Sequence, residues 1–301
     1  MKNFGKTIKQ IRLDKQLSQT DIAKDLMSRQ FYSKIENDTA EITLSTLQQI
    51  LKKLNVDIID FLRENLKNTE IAYYQQLLVK GFRQTLTAIE AKELMDYVKD
   101  HYTKDNKHLL LYVLTKSHVR NQFPNLIPDI TEEDKLFIKK CIFSIKGQYS
   151  LFELKLIGDC ARFLSISDLK KLFNQFPNYA KKDFSTDNSN IRVQINKIYN
   201  NFCDLAILAK DIPFAKKILT LHKEFAKTYP EIRYLFYIKV NETMITYLET
   251  KEISVLLELN KIADMFEYIG EQETAKAIRY QFQEYAEKNS YNPNEITTKD
   301  V

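Results

Sequence analysis

The sequence predicts an all-α protein: a small five-helix unit followed by a long series of helical hairpins. Three observations carry this reading. Five Gly and six Pro in 301 residues are too few to turn a many-stranded sheet. Long stretches are rich in Lys, Glu, Leu, Ile, Gln and Ala, which lose little on entering a helix. Apolar residues recur at three- and four-residue spacing, which puts them on one helix face.

Composition narrows the function classes. A hydrophobic content of 44% with 28% charged residues fits a globular chain long enough for two domains. Met1-Lys2-Asn3-Phe4-Gly5-Lys6 has no apolar targeting core, and no stretch is apolar enough to span a bilayer, so no membrane is expected. Cys141, Cys160 and Cys203 are odd in number and far apart, which reads as reduced core thiols in a cytoplasmic protein. The formal charge of +5 is modest, but its placement is not even. Up to Ile35, Lys2, Lys6, Lys9, Arg12, Lys15, Lys24, Arg29 and Lys34 face only Asp14, Asp21 and Asp25, so the whole excess sits in this segment. A basic end on an otherwise balanced chain suits a polyanion.

Residues 1–65 hold the five short helices. Phe4 to Lys15 turns Ile8 and Ile11 inward and leaves Lys9 and Arg12 for phosphates. Ser18 with Asp21 forms a capping box for a second helix whose face carries Ile22, Ala23 and Leu26. A tight turn at Met27-Ser28 follows, and Ser28 caps a third helix with Tyr32 and Ile35 inward. Opposite Tyr32 lie Gln30, Ser33, Lys34 and Asn37, with Arg29 at the edge and Gln19 on the preceding helix. These donors and cations suit base edges and phosphates in a major groove. Asn37 is placed to end the helix in the left-handed conformation. Thr43 caps a fourth helix with Leu44, Leu47, Ile50, Leu51 and Leu54, and Ile58, Ile59, Phe61 and Leu62 form a fifth.

The runs Ile8-Lys9-Gln10-Ile11-Arg12, Leu17-Ser18-Gln19, Asp21-Ile22-Ala23, Ser28-Arg29, Tyr32-Ser33-Lys34-Ile35-Glu36 and Leu54-Asn55-Val56 resemble the Xre/Cro/CI-type helix-turn-helix, a lambda-repressor-like fold. The resemblance implies DNA binding through Gln19, Ser28, Arg29, Gln30, Ser33, Lys34 and Asn37. One departure is that the usual Gly plus apolar residue of the inter-helix turn is replaced by Met27 alone, which shortens the turn by a residue.

Residues 66–70 read as a linker, 71–288 as a helical-repeat domain for sensing and dimerisation, and 289–301 as a polar tail. Thr87 with Glu90, Thr131 with Asp134, and Ser150 with Glu153 mark helix starts as capping boxes. Starts at Ser150, Asp187 and Pro230 alternate with starts at Ser167, Asp211 and Lys251, each series spaced by about 40 residues, the period of helical hairpins. Phe214-Ala215-Lys216-Lys217-Ile218-Leu219 echoes Thr274-Ala275-Lys276-Ala277-Ile278-Arg279, and Ile269-Gly270 before Ala275 has the look of a degenerate tetratricopeptide repeat. An α-solenoid and an irregular bundle both accommodate this pattern.

No catalytic constellation stands out, so no enzyme is expected. His101, His108, His118 and His222 lack the carboxylates or thiols that would complete a metal set, and no Gly-rich phosphate or dinucleotide loop occurs. Neither cofactor nor metal is called for.

A DNA reader joined to a helical array suggests a sensor that controls transcription. An extended peptide in the array would need amides or Arg to pair its backbone. On the helix from Ser189, Ile191, Ile195, Ile198, Phe202 and Leu205 make the packing stripe. About 90° round the wheel lie Arg192, Asn196, Tyr199 and Asn200. With Asn241 on a later helix these are the peptide-contact candidates. The whole layout, with Asp25-Leu26-Met27-Ser28-Arg29 and Glu41-Ile42-Thr43-Leu44-Ser45, resembles the Rgg/GadR/MutR regulators and the related PrgX-type pheromone receptors. That resemblance implies a cytoplasmic homodimer on an inverted-repeat operator, controlled by a short signalling peptide in quorum sensing. Three alternatives remain open: an array that binds a protein partner, a repressor whose array only dimerises, and an enzyme built on the helical domain.

Overall fold

A computed structural model describes residues 4–66, 69–145, 147, 149–179 and 189–287. Among these residues the chain is helical throughout, with no strand. Packing divides it into two units, Met1–Asp100 with His118–Pro128, and His101–Ser117 with Asp129–Val301.

The first unit begins with α1 (Phe4–Asp14), α2 (Gln19–Ala23), α3 (Arg29–Glu36), α4 (Leu44–Lys53) and α5 (Ile58–Leu66). Ile8, Ile22, Ala23, Tyr32, Ile35, Leu47, Ile50, Leu51, Leu54 and Phe61 close on one another as its core. Burying a side chain as large as Leu or Phe contributes about 1.5–3 kcal/mol, so the nine residues other than Ala23 hold five short helices that would not persist alone. Ser18 and Asp21 form the expected capping box, and Ser28 and Thr43 cap α3 and α4. Gly5 lies so close under α3 that an added Cβ would sit 2.0 Å from the Ile35 carbonyl oxygen. Its N–H donates to Asp38 Oδ1 at 2.8 Å.

Two local readings change. The helix α2 stops at Ala23, and Leu26 packs on the core from the turn rather than from a helix. The connection runs from Lys24 to Ser28, and Asp25 takes the left-handed conformation within it (φ 62°). At the end of α3 the left-handed residue is Asp38 (φ 54°), not Asn37 (φ −93°). Asn37 instead donates its Nδ2 to the Ser33 carbonyl at 2.9 Å.

Two further helices, α6 (Glu70–Phe82) and α7 (Ala88–His101), pack largely with this unit, although the helical pattern places the start of the array at 71. Tyr74 stacks on Tyr97 with centroids 3.6 Å apart. Thr87 and Glu90 exchange the capping-box bonds expected of them.

The second unit holds most of α8 (Asn106–His118), then α9 (Glu132–Ser144), α10 (Leu151–Cys160), α11 (Ile166–Gln175), α12 (Ser189–Leu208), α13 (Ile212–Thr228), α14 (Ile232–Thr250), α15 (Leu257–Tyr268) and α16 (Gln272–Glu287). Between α8 and α9, Lys116 Nζ meets Asp134 Oδ2 at 2.7 Å, and the Tyr112 hydroxyl donates to Asp134 Oδ1 at 2.8 Å. Further on, α12 lies between α10 and α14, with α13 as its antiparallel partner, and α15 pairs with α16. This is the hairpin order of a solenoid. Asp211 caps α13, with Pro213 in its first turn where a missing N–H costs nothing. The α15–α16 turn needs its glycine, because Gly270 sits at φ +86°. Ser165 rather than Ser167 caps α11, because Ser165 accepts from the Asp168 N–H. The start read at Asp187 and the tail 289–301 lie outside the described residues.

All three cysteines are free, Cys160 and Cys203 buried and Cys141 half-buried. Among the described residues no group of three His, Cys, Asp or Glu could hold a metal, and no helix is long and apolar enough to cross a membrane.

Candidate functional site

Two places collect the polar residues singled out by the sequence. The first is the outer face of α3. Arg29, Gln30 and Lys34 are exposed on it, Ser33 is half-buried, and Asn37 is exposed at its end. Ser28 is exposed but engaged, since its Oγ accepts from the Phe31 N–H at 3.2 Å. The face is held by a core beneath it, because Tyr32 and Ile35 on the opposite side are 0% and 2% exposed. Lys9 is exposed on α1.

Arg12 does not join this surface. It is 6% exposed, and its guanidinium forms a fork on Glu36, Nε to Oε1 at 2.6 Å and Nη2 to Oε2 at 3.0 Å. Its Nη1 donates to the Leu17 carbonyl at 2.7 Å. Each of its three nitrogens thus donates inside the domain, tying α1 to the start of α2 and the end of α3, and the buried head is held on Glu36 rather than presented to a phosphate. The bond to Glu36 raises the Arg12 pKa. Burial works against the Glu36 carboxylate, but Arg12 and Gln19 together hold its pKa below the ordinary range. Gln19 is accordingly half-buried, with Nε2 on Glu36 Oε2 at 2.8 Å, so its amide nitrogen braces the pair. Phe31, which the sequence reading passed over, is 43% exposed on the same helix as Arg29 and Gln30. Its apolar side chain beside those donors suits contact with a thymine methyl.

The second place is a groove in the helical array. Its larger cavity, about 540 Å³, is lined by residues of α12, α14 and α16, among them Asp204, Ile207, Asn241, Met244, Ala277 and Tyr280. An adjoining cavity of about 310 Å³ shares Asp204, Glu273, Ala277 and Gln281 with it and adds Asn200 and Tyr237. Of the peptide-contact candidates, Asn200 and Asn241 are brought together here. Asn241 donates Nδ2 to Asn200 Oδ1 at 3.1 Å, and Asn200 donates Nδ2 to Asp204 Oδ2 at 3.0 Å. Burial pushes the Asp204 carboxyl up to about 7, against the pull of the two amides.

The other three peptide candidates line neither cavity. Asn196 is 0% exposed and serves the interior, donating Nδ2 to the Arg192 carbonyl at 3.2 Å and accepting from His222 Nε2 at 3.1 Å. Burial lowers the His222 pKa to about 4, so the ring is neutral. Tyr199 is 1% exposed and stacks against that ring, with centroids 5.7 Å apart. Arg192 is half-buried with its guanidinium over the Tyr229 ring at 5.5 Å. The sequence reading missed Asp204, although the signal was present: Asn196, Asn200 and Asp204 follow at four-residue steps on one face.

The fold thus joins a helix-turn-helix unit with an outward polar helix to an array of helical hairpins with an amide-lined groove. Residues 8–61 match the helix-turn-helix family HTH_3. The fold of nearly the whole chain is that of PrgX, a point mutant of which superposes with a TM-score of 0.69 at 15% identity, covering 97% of each chain. It is likewise similar to the SHP pheromone receptor Rgg2 of Streptococcus dysgalactiae, with a TM-score of 0.67 at 18% identity over 94% of this chain and 99% of that one. A bacterial peptide pheromone/receptor complex matches with a TM-score of 0.67 at 15% identity, over 94% and 98% of the two chains. No curated protein sequence matches significantly.

Proposed function

We propose that the protein is a sequence-specific DNA-binding transcription regulator whose helical array binds a short signalling peptide. The observation that carries the reading is the combination of an exposed Arg29, Gln30 and Lys34 on α3 with an amide-lined groove in the array, on a fold shared with pheromone receptors. In this reading α3 enters the major groove, Arg29 and Gln30 face base edges, and Lys9 and Lys34 face phosphates. Two copies reading an inverted repeat place their α3 helices about one turn of DNA apart. Peptide in the array alters DNA binding only through its different affinity for the two states of the dimer.

A mobility-shift titration against a randomised duplex pool tests the DNA half. Salt-sensitive binding that selects a symmetric sequence supports it, and binding that selects no sequence sinks it. Sedimentation of the same protein should give a dimer. For the peptide half, mass spectrometry of material released by denaturing the protein purified from its native host should reveal a short peptide. The rival reading, an array that only dimerises or binds a protein, predicts none.

A further inference from the structure

The groove between α12, α14 and α16 carries an unusual charge arrangement. Asp204 lines both cavities, and its described hydrogen-bond partners there are amide groups. Among the described residues no Lys, Arg or His forms an ion pair with it. The lining cation, Lys276, pairs with Glu273 at 2.9 Å on the same helix. The surrounding walls are largely apolar, with Ile207, Met244, Ala277 and Tyr280. A half-buried carboxylate on such a surface has lost part of its hydration without gaining a counter-charge. Asn200 links it to Asn241, so Asp204 and both amides form one chain along the groove. Volumes of this order are those of ligand sites, where a few polar groups fix orientation within an apolar lining.

We propose that Asp204 anchors a positive charge of the bound peptide, its amino terminus or a Lys or Arg side chain, while Asn200 and Asn241 orient that end in the groove. This deepens the peptide reading above and rests on it. A ligand cation restores the interaction that burial removed, and the adjoining apolar wall takes the neighbouring side chains. Burial beside amides alone is what raises the carboxyl pKa. Where the anchored charge is the amino terminus, the anchor also sets polarity, because a peptide entering reversed brings its carboxylate against Asp204, and like charges at close range repel.

Three heptapeptide libraries of Leu, Val, Ile, Thr and Gly test this: one with free amino termini, one acetylated, and one acetylated with a single Lys at a random position. All carry amidated C-termini and compete for the full-length protein, with retained members read by mass spectrometry. The expected result is enrichment of the first or third library over the second by about tenfold. The first identifies the amino terminus as the anchor, the third a side chain. Asp204→Asn should bring the enrichment close to one while still retaining acetylated peptides, and Asp204→Glu should keep a preference. Equal retention of all three libraries by the native protein, or a preference that survives in Asp204→Asn, overturns the anchor alone. If no library is retained, the peptide reading itself falls, and the anchor with it.

Discussion

Helices α3 and α12 each carry a polar stripe beside an apolar one, and they dispose of it in opposite ways. On α3 the stripe faces outward, and Arg29, Gln30 and Lys34 keep their donors free of the domain core. On α12, between α10 and α14, part of the stripe turns inward, so Asn196 and Tyr199 pack against His222. Only its end, at Asn200 and Asp204, reaches an open groove. The same wheel geometry therefore marks a surface in one unit and an interior hydrogen-bond layer in the other. What differs is the number of neighbours. A helix on the outside of a five-helix domain has one covered face, whereas an inner solenoid helix is covered on several.

Substitutions sharpen this contrast. The largest effect is expected at Arg12, where sequence alone suggests a phosphate contact and the structure shows a buried fork. Arg12→Ala leaves Glu36 buried without its partner and should cost about 3–5 kcal/mol of stability, read by chemical denaturation of the isotopically labelled first unit's signals in the full chain. Pairing Arg12→Met with Glu36→Leu should recover much of this loss. If Arg12→Ala instead leaves stability intact and weakens all DNA sites alike, the fork is not structural.

Arg29→Ala should do the reverse. Stability should stay within about 0.5 kcal/mol of the parent, while discrimination among operator variants falls by about 1–3 kcal/mol in mobility-shift titrations. Lys9→Ala should weaken all sequences uniformly and reduce the slope of affinity against salt by about one.

Asn196→Ala probes the inward stripe. It strips the buried His222 ring of its acceptor and should destabilise the array by about 1–3 kcal/mol. An intact melting profile combined with lost peptide affinity would instead return Asn196 to the groove.

The most diagnostic effect is in pH. The Asp204 carboxyl is raised from 3.8 to about 7, so the folded state holds its proton where the unfolded chain has lost it. Stability from this group is present below pH 3.8 and falls as pH rises to about 7. His222 is lowered from 6.5 to about 4, so its contribution is present above pH 6.5 and is lost as pH falls toward 4. The two slopes oppose each other across most of that window, and the native protein should show a flat profile there. Asp204→Asn removes one of them. Its melting temperature should rise with pH between 4.5 and 6.5, and the gain over the parent should be greatest at pH 8, with about 4 kcal/mol as the ceiling set by the shift from 3.8 to about 7 and solvent screening of the half-buried carboxyl bringing it lower. Parallel profiles for the two proteins would show that Asp204 does not titrate in the groove.

Much of this molecule was legible along the chain because it is governed by short-range rules. The capping boxes at Ser18, Thr87, Thr131 and Ser150 are satisfied within three residues, and the core positions Ile8, Tyr32, Ile35 and Leu47 follow from a 3.6-residue period. Those local signals determined the element order, the five-helix unit and the outward face of α3. They could not show that Arg12 would find Glu36 24 residues away, since a cation on a helix face reads the same whether it meets a carboxylate or solvent. Nor could they separate Asn196 from Asn200, one turn apart on α12, when the first is covered through its bond to His222 and the second opens on a cavity shared with α16. Which polar groups are consumed within the fold and which remain for a ligand depends on the partners that distant segments bring. Only the tertiary structure decides that, because a side chain's hydrogen-bonding capacity is local whereas its satisfaction is not.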